Sequence, residues 1–373
     1  MRVNFIPSSS VDSETLWPYM STEEIQLPSI SVVVPAFNAA LHLNRCLEAV
    51  FANDRIRECI VVDDGSTDDS ASIARQFGAR VLHLSDGPFG PAYARNRGAE
   101  AALGAVIFFV DADVVLAAGA LDRVLTVFQE HANLAAVFGS YDAHPAASGM
   151  ISQYRNLLHH FVHQNGNTEA STFWAGCGAI RRSVFTRIGG FDEKRFSRPS
   201  IEDIELGYRL RSAGYRILLD KQLQGTHLKR WSFLSLIRTD VICRAVPWSR
   251  LIHETTKAPQ ELNLAPTQKA SVALMGSACA FVALGLVWQR SFALSAVALS
   301  GVIFLNRGLY AFFWRERGMS FAISCIPLHL FYNLYSGLSY FYVCAEFRIK
   351  KLTKARPASK LKSARQTITV KRT

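Results

Sequence analysis

The run Ala105-Val-Ile-Phe-Phe-Val110, followed by Asp111-Ala112-Asp113, constrains this chain more than any other stretch. An apolar run of this length predicts a buried strand. Two carboxylates then stand at its carboxyl end, where ligands bind in open α/β sheets. Acids so close repel unless a proton or a cation relieves them. A hard divalent ion carried by a diphosphate does so, because magnesium is commonly held by one or two carboxylates plus phosphate oxygens. An Asp-x-Asp triplet elsewhere is an ordinary polar loop; its place after this strand gives it meaning.

Three more stretches repeat the plan. Ile30-Ser-Val-Val-Val-Pro35 is a short β-branched strand ended by proline, and Ala36-Phe37-Asn38 turns into a helix with Leu41, Leu43, Leu47 and Val50 on its apolar face. Cys59-Ile-Val-Val62 runs into Asp63-Asp64-Gly65-Ser66-Thr67-Asp68, whose acids either cap the following helix or accept hydrogen bonds from a base or ribose. Val81-Leu-His-Leu84 precedes Gly87–Gly98, which enters a helix continuing through Ala102. The basic residues there, Arg95 among them, either face a diphosphate or begin a solvated helix. This alternation predicts an α/β fold with a doubly wound, mostly parallel sheet. No Gly-x-x-x-x-Gly-Lys-Ser/Thr sequence occurs, which disfavours a P-loop kinase or ATPase.

Further on, Ile151, Tyr154, Leu157, Leu158, Phe161 and Val162 recur at helical spacing and predict a helix over Gly149–Asn165. His159, His160 and His163 within it read as surface or acceptor-groove residues rather than a zinc site. Phe173-Trp174-Ala-Gly-Cys-Gly178 is small and aromatic, suiting a close backbone approach, with Trp174 either a flat face for a sugar or core packing. Seven scattered cysteines form no Cys-x-x-Cys pair, which points to a reducing compartment.

Half of the 373 residues are hydrophobic, with most of the excess beyond residue 269. Residues 231–252 mix aromatic, aliphatic and arginine side chains, as an amphipathic helix in a bilayer interface does, with Pro247 expected to kink or end it; with a linker the segment runs over 231–268. Ala270–Trp288 has 19 residues and Gly318–Ala345 has 28, all without charge. Both are expected to span a membrane. Asn306-Arg307 interrupts the run between them, so Ser291–Trp314 is expected to be re-entrant or packed against the two spans. The formal charge of +11 gathers in the tail 348–373, where it fits anionic lipid headgroups better than nucleic acid and favours the cytoplasmic side. Residues 1–28 lack the apolar core of a signal peptide, so the globular part, 29–230, is expected on the cytoplasmic face of an inner or plasma membrane.

In order and spacing, Val33-Val-Pro-Ala-Phe-Asn38, Val62-Asp-Asp-Gly-Ser-Thr-Asp68, Ala94-Arg-Asn-Arg-Gly98 and Val110-Asp-Ala-Asp113 resemble the nucleotide-sugar half of family-2 glycosyltransferases. Gly189-Gly-Phe-Asp-Glu193 and Ile201-Glu-Asp-Ile-Glu-Leu-Gly-Tyr-Arg-Leu210 are similar to that family's acceptor-side motifs. The resemblance covers roughly residues 29–231. It implies a GT-A fold, a nucleoside-diphosphate sugar donor, Mn2+ or Mg2+, and inversion at the anomeric carbon. Carried over, Pro35 and Ala36, with Asn38 after them, line the nucleoside pocket and Asp64 holds the base. Asp113 is a metal ligand, Asp111 lies near the ribose or metal, and Asp203 beside Glu202 is the catalytic base. His227 is implied as a third ligand, with Arg230 and Trp231 clamping diphosphate and acceptor. Processive synthases carry Gln-x-x-Arg-Trp where this chain has His227-x-x-Arg230-Trp231. The reading is therefore transfer to a lipid-linked or glycolipid acceptor in cell-envelope glycan synthesis. A processive polysaccharide synthase and a non-catalytic scaffold of a glycan-assembly complex are the alternatives.

Overall fold

A computed structural model describes residues 28–255 and 262–355. Strands and helices alternate from the start: β1 (Ile30–Ala36), α1 (Ala40–Phe51), β2 (Ile56–Asp63), α2 (Ser70–Gln76), β3 (Arg80–His83), α3 (Pro91–Ala101) and β4 (Val106–Val110). Next come β5 (Val114–Leu116), α4 (Ala120–Glu130), β6 (Leu134–Tyr141), α5 (Met150–Gln164), β7 (Glu169–Ala170), β8 (Cys177–Arg181), α6 (Arg182–Ile188), α7 (Glu202–Ser212) and β9 (Arg216–His227). All nine strands join one sheet in the order β3-β2-β1-β4-β8-β6-β9-β5, with β7 beside β9. The first four sequence-predicted strands lie where expected and pair in parallel. Beyond β4 the sheet is mixed, because β8 inserts antiparallel between β4 and β6.

That insertion positions the site. The pairing of Val110 with Cys177 sets the Gly176 carbonyl against the Asp111 amide, 3.3 Å away. Both faces of the sheet are buried. Val32, Val34, Phe108 and Val110 pack into one core layer, and Val33, Ile60, Ile107 and Phe109 into the other. The period of two along each strand divides the side chains between the layers. Full burial of each of these side chains contributes roughly 1.5–3 kcal/mol, which is why strands with no polar position are tolerated here. On α1 the buried residues are Leu43, Cys46, Leu47 and Val50. Leu41 is 84% exposed, off the face the sequence assigned it to.

After the sheet, α8 (Phe233–Arg238), a widened π turn over Thr239–Ala245 and α9 (Val246–Glu254) follow one another without a break. Pro247 therefore does not end the helix. It sits in the first turn of α9, just after the π turn, and the Cys243 carbonyl four residues before it accepts from the Ser200 hydroxyl instead. Four helices close the described chain: α10 (Pro266–Gly285), α11 (Ser291–Leu305), α12 (Arg307–Arg317) and α13 (Met319–Ala355). Among the described residues only α10 is by itself long and apolar enough to cross a membrane. The pair α11 and α12, bent by 61° at Asn306, passes the same test jointly.

The second expected span, Gly318–Ala345, is a helix but not an apolar enough one. Its polar residues face inward: His329 and Asn333 are buried, taking hydrogen bonds with Tyr310 (2.8 Å) and Gln268 (2.9 Å). Polar groups that are satisfied between helices lower a helix's hydropathy without exposing charge. The residues 1–27 and 356–373, which hold nearly all of the polar amino-terminal segment and most of the basic tail, lie outside the described residues, as do 256–261 within the expected linker.

Candidate active site

The loops at the carboxyl ends of β1, β2 and β4 gather the first group of expected residues. Asn38 adopts a left-handed φ of 49°, which asparagine tolerates better than most residues. Its Oδ1 accepts from the Thr67 amide at 2.9 Å, and its own amide donates to Ser66 Oγ at 2.9 Å. The turn after Pro35 and Ala36 is thus tied to the Asp63–Asp68 loop. Neither Asp63 nor Asp64 caps a helix; Asp68 does, accepting from the first amides of α1 (Ala40, 3.0 Å) and α2 (Ser70, 3.0 Å). Asp63 accepts from the Ser66 amide and pairs with His83 Nδ1 at 2.7 Å. Asp64, nearly fully buried, accepts from the amides of Phe89 (2.9 Å) and Gly90 (2.8 Å). A close approach makes this possible: a Cβ on Gly87 would fall 2.5 Å from the Asp64 carbonyl oxygen.

Arg95 joins the two halves of the site. It is buried on α3 and donates to Asp111 Oδ1 at 2.7 Å and to Glu202 Oε1 at 2.8 Å. Its guanidinium also lies over the Phe191 ring, 5.7 Å from the centroid. The neighbouring Asn96 bonds both the amide and the carbonyl of Phe191 and the Glu193 carboxylate, and Arg97 pairs with Glu193. The Arg-Asn-Arg stretch therefore fastens the Gly-Gly-Phe-Asp-Glu and Glu-Asp segments to the end of β4. Arg95 is a buried bridge, not a cation open to a diphosphate.

Glu202 spends its other oxygen on the Ser200 amide at 3.0 Å. Asp203 is held by the amides of Ala175 (3.2 Å) and Ile204 (2.8 Å). Burial, and after it the Glu202 carboxylate, push the Asp203 carboxyl up to about 7, against Arg95 and those two amides. A carboxylate so tuned is a proton acceptor near neutral pH.

Asp113 and His227 converge from β4 and β9, with Asp113 Oδ2 and His227 Nε2 3.4 Å apart. Burial raises the Asp113 carboxyl, but the facing His227 ring, with Lys229 and His42 beyond, outweighs it and holds it below its ordinary value. Asp111 is turned toward Arg95 instead, so among the described residues no three metal-binding side chains converge. The Asp113–His227 pair still fits a divalent ion that arrives on a diphosphate, since phosphate oxygens and water fill the remaining positions. Arg230 and Lys229 are exposed beside it. Trp231 is not at the opening. It is 7% exposed and packs between α5 and the last helices, its amide donating to Ser152 Oγ at 2.8 Å.

Trp174 stands half-buried between Tyr141 (4.8 Å), His159 (4.8 Å) and His163 (5.6 Å). A Cβ on Gly176 would meet its ring at 2.6 Å. The α5 histidines are not surface residues. His160 and His163 bond the carbonyls of Tyr141 (2.7 Å) and Gly139 (3.0 Å), and burial lowers His163 to about 4, so it packs as a neutral ring. Asn156 bonds His227 Nδ1 at 2.7 Å and was missed in the sequence. A signal existed: Ser152, Asn156, His159 and His163 form a polar stripe at helical spacing along α5.

Residues 31–189 match the family model for glycosyl transferase family 2. That stretch is a glycosyl transferase family 2 domain. Its curated relatives include the probable glycosyltransferase YdaM of Bacillus subtilis (strain 168), 27% identical over 52% of this chain and 49% of that protein. The O-antigen chain rhamnosyltransferase WbaN of Salmonella anatum is 27% identical over 60% of this chain and 74% of that one. The chain spans about half the length of several curated relatives it matches. Among solved structures, the mannosyltransferase PcManGT from Pyrobaculum calidifontis, in complex with GDP-Man and Mn2+, superposes with a TM-score of 0.53 at 17% identity. The match covers 84% of this chain and 87% of that one, and at that identity it speaks for the GT-A fold alone.

Proposed function

We propose that this glycosyltransferase moves a sugar, with inversion, from a nucleoside-diphosphate sugar to a lipid or glycolipid acceptor at a membrane surface, in cell-envelope glycan synthesis. The observation that carries the proposal is the Arg95 bridge, which unites the Asp111 and Glu202 segments in one cluster. In this reading the nucleoside lies against Pro35 and Ala36, beside the Asp64 loop. The diphosphate points toward Asp113 and His227, with Arg230 exposed nearby. Bound there, Mn2+ or Mg2+ supplies charge stabilisation for the leaving diphosphate. Asp203 takes the proton from the acceptor hydroxyl as that oxygen bonds the anomeric carbon, and the bond from that carbon to the diphosphate oxygen breaks on the opposite face. Glu202 is committed to Arg95 and the Ser200 amide, which leaves Asp203 to act as the base.

A membrane acceptor is supported by position. The Ser200 hydroxyl, near Asp203 in the chain, donates to the Cys243 carbonyl of the π turn at 3.1 Å. Along the same helical segment Phe233, Leu234 and Ile242 are exposed beside Arg238 and Arg244, and the apolar α10 follows. The names of relatives add weight, since one is a rhamnosyltransferase of O-antigen chains and one a mannosyltransferase seen with GDP-Man and Mn2+. The test is transfer from a panel of UDP- and GDP-sugars in membrane extract, for the native chain and Asp203→Asn. Donor-specific labelling of an organic-extractable product, lost in the variant, is expected. Labelling of water-soluble glycan alone would overturn the lipid acceptor, and equal labelling by the variant would overturn the site.

A further inference from the structure

His227 has a second ring nitrogen, and its partner is not a carboxylate or a carbonyl of the sheet. Nδ1 lies 2.7 Å from Oδ1 of Asn156, and both residues are buried, at 4% and 1% exposure. An amide oxygen only accepts, so His227 carries its proton on Nδ1. In the neutral ring Nε2 is then a bare acceptor. It is Nε2 that points at Asp113 Oδ2, 3.4 Å away. Two acceptors face each other there, an arrangement that a cation between them turns from repulsive to attractive.

The surroundings fix this geometry. The Tyr141 ring stacks on His227 with centroids 4.3 Å apart and planes 12° from parallel, which sets the plane of the imidazole. Asn156 is held in turn by its neighbours on α5. One turn earlier, Ser152 Oγ accepts from the Trp231 amide at 2.8 Å, and the adjacent Arg155 pairs with the buried Asp240 at 3.3 Å. The Nδ2 of Asn156 is buried without a partner among the described residues. A buried unpaired donor costs roughly 1–3 kcal/mol. A leucine of similar volume would avoid that cost, so packing alone does not account for an asparagine here.

We infer that Asn156 is a positioning residue: it fixes the His227 tautomer so that Nε2, with Asp113, is presented to a divalent cation. The inference rests on the metal-side reading of Asp113 and His227 above. Outer-shell partners of metal-binding histidines typically change metal affinity by about 10–100-fold when removed. Asn156→Leu is therefore expected to weaken Mn2+ binding by that factor. Asn156→Asp, whose carboxylate accepts the same Nδ1 proton, is expected to retain it.

The experiment titrates Mn2+ alone into the full chain in detergent and follows the free ion by electron paramagnetic resonance, for the native chain, Asn156→Leu, Asn156→Asp and His227→Ala. Thermal unfolding of each variant is measured in parallel. Weak binding in His227→Ala and Asn156→Leu, with binding retained in Asn156→Asp, supports the inference, and it does so even where both Asn156 variants melt earlier. Native affinity in Asn156→Leu, with His227→Ala weakened, overturns the role of Asn156 while leaving the metal reading intact. Native affinity in His227→Ala overturns the metal reading itself. Loss in Asn156→Asp equal to that in Asn156→Leu overturns the tautomer argument.

Discussion

In Asp203→Asn the side chain keeps its size and loses the capacity to take a proton. Burial and the Glu202 carboxylate hold the native Asp203 carboxyl near 7, so it is protonated and idle in acid and ionised in mild base. With that midpoint, kcat/KM of the native enzyme should fall about tenfold for each pH unit below it and level off above about pH 8. At saturating alkaline pH the variant should lose about 10²- to 10⁴-fold in turnover, the range for a positioned general base. That loss corresponds to about 3–5 kcal/mol of barrier. The assay is donor turnover with a fixed acceptor from pH 5 to 9 at saturating Mn2+, for both proteins. The acid limb should vanish in the variant, leaving a low, flat profile. Stability should move the other way. A carboxyl whose folded value lies above its unfolded value of about 4 costs the fold stability as pH rises from there through about 7. Asp203→Asn should therefore melt later than the native chain at pH 8 and show no such gain at pH 4. A native-like turnover in the variant, or a native profile with no limb between pH 5 and 8, would refute the assignment of Asp203 as the base.

Arg95→Met should cost about 3–5 kcal/mol in thermal or denaturant unfolding, because it leaves the Glu202 carboxylate buried and Asp111 beside it without their cation. In the same variant the acid limb should move to higher pH, since Arg95 opposes the rise of Asp203; a limb that stays put would separate the two groups. Chelation should abolish donor turnover and added Mn2+ or Mg2+ should restore it, with Asp113→Asn losing far more than Asp111→Asn, whose carboxylate faces Arg95. Full turnover in excess chelator would remove the metal from the reading. Gly90→Ala should destabilise by about 1–3 kcal/mol and weaken nucleotide binding measured by calorimetry. Its φ is 96°, an added Cβ would stand 2.7 Å from the Ser197 carbonyl oxygen, and its amide is one of the two that hold Asp64.

The first four strands could be read from the sequence because burial on both faces leaves a local record: β1, β4 and the Cys59–Val62 half of β2 are nearly unbroken apolar runs. Acids placed just past such runs have one physical setting, the carboxyl edge of the sheet, so the neighbourhood of Asp64, Asp111 and Asp113 was legible too. The helix over Met150–Gln164 was set by its periodicity, and only its polar stripe went unread. What lies beyond these runs was decided by contacts between distant residues. Arg95 looks in sequence like an exposed helical cation, yet it bridges to Glu202, 107 positions away, and is buried by that bridge. Trp231 reads as a substrate clamp until Ser152 and the last helices enclose it. The polar residues of α13 face inward onto Tyr310 and Gln268, which no hydropathy window along the chain can register. Local pattern therefore fixed where the sheet edge and its carboxylates fall, because burial of a strand is paid residue by residue. Which side chains meet across that edge, Arg95 with Glu202 and Asn156 with His227, was settled only when β8 and β9 closed the sheet and α5 packed against it, since hydrogen bonds at 2.7–2.8 Å depend on the whole fold's geometry and leave no periodic trace in the chain.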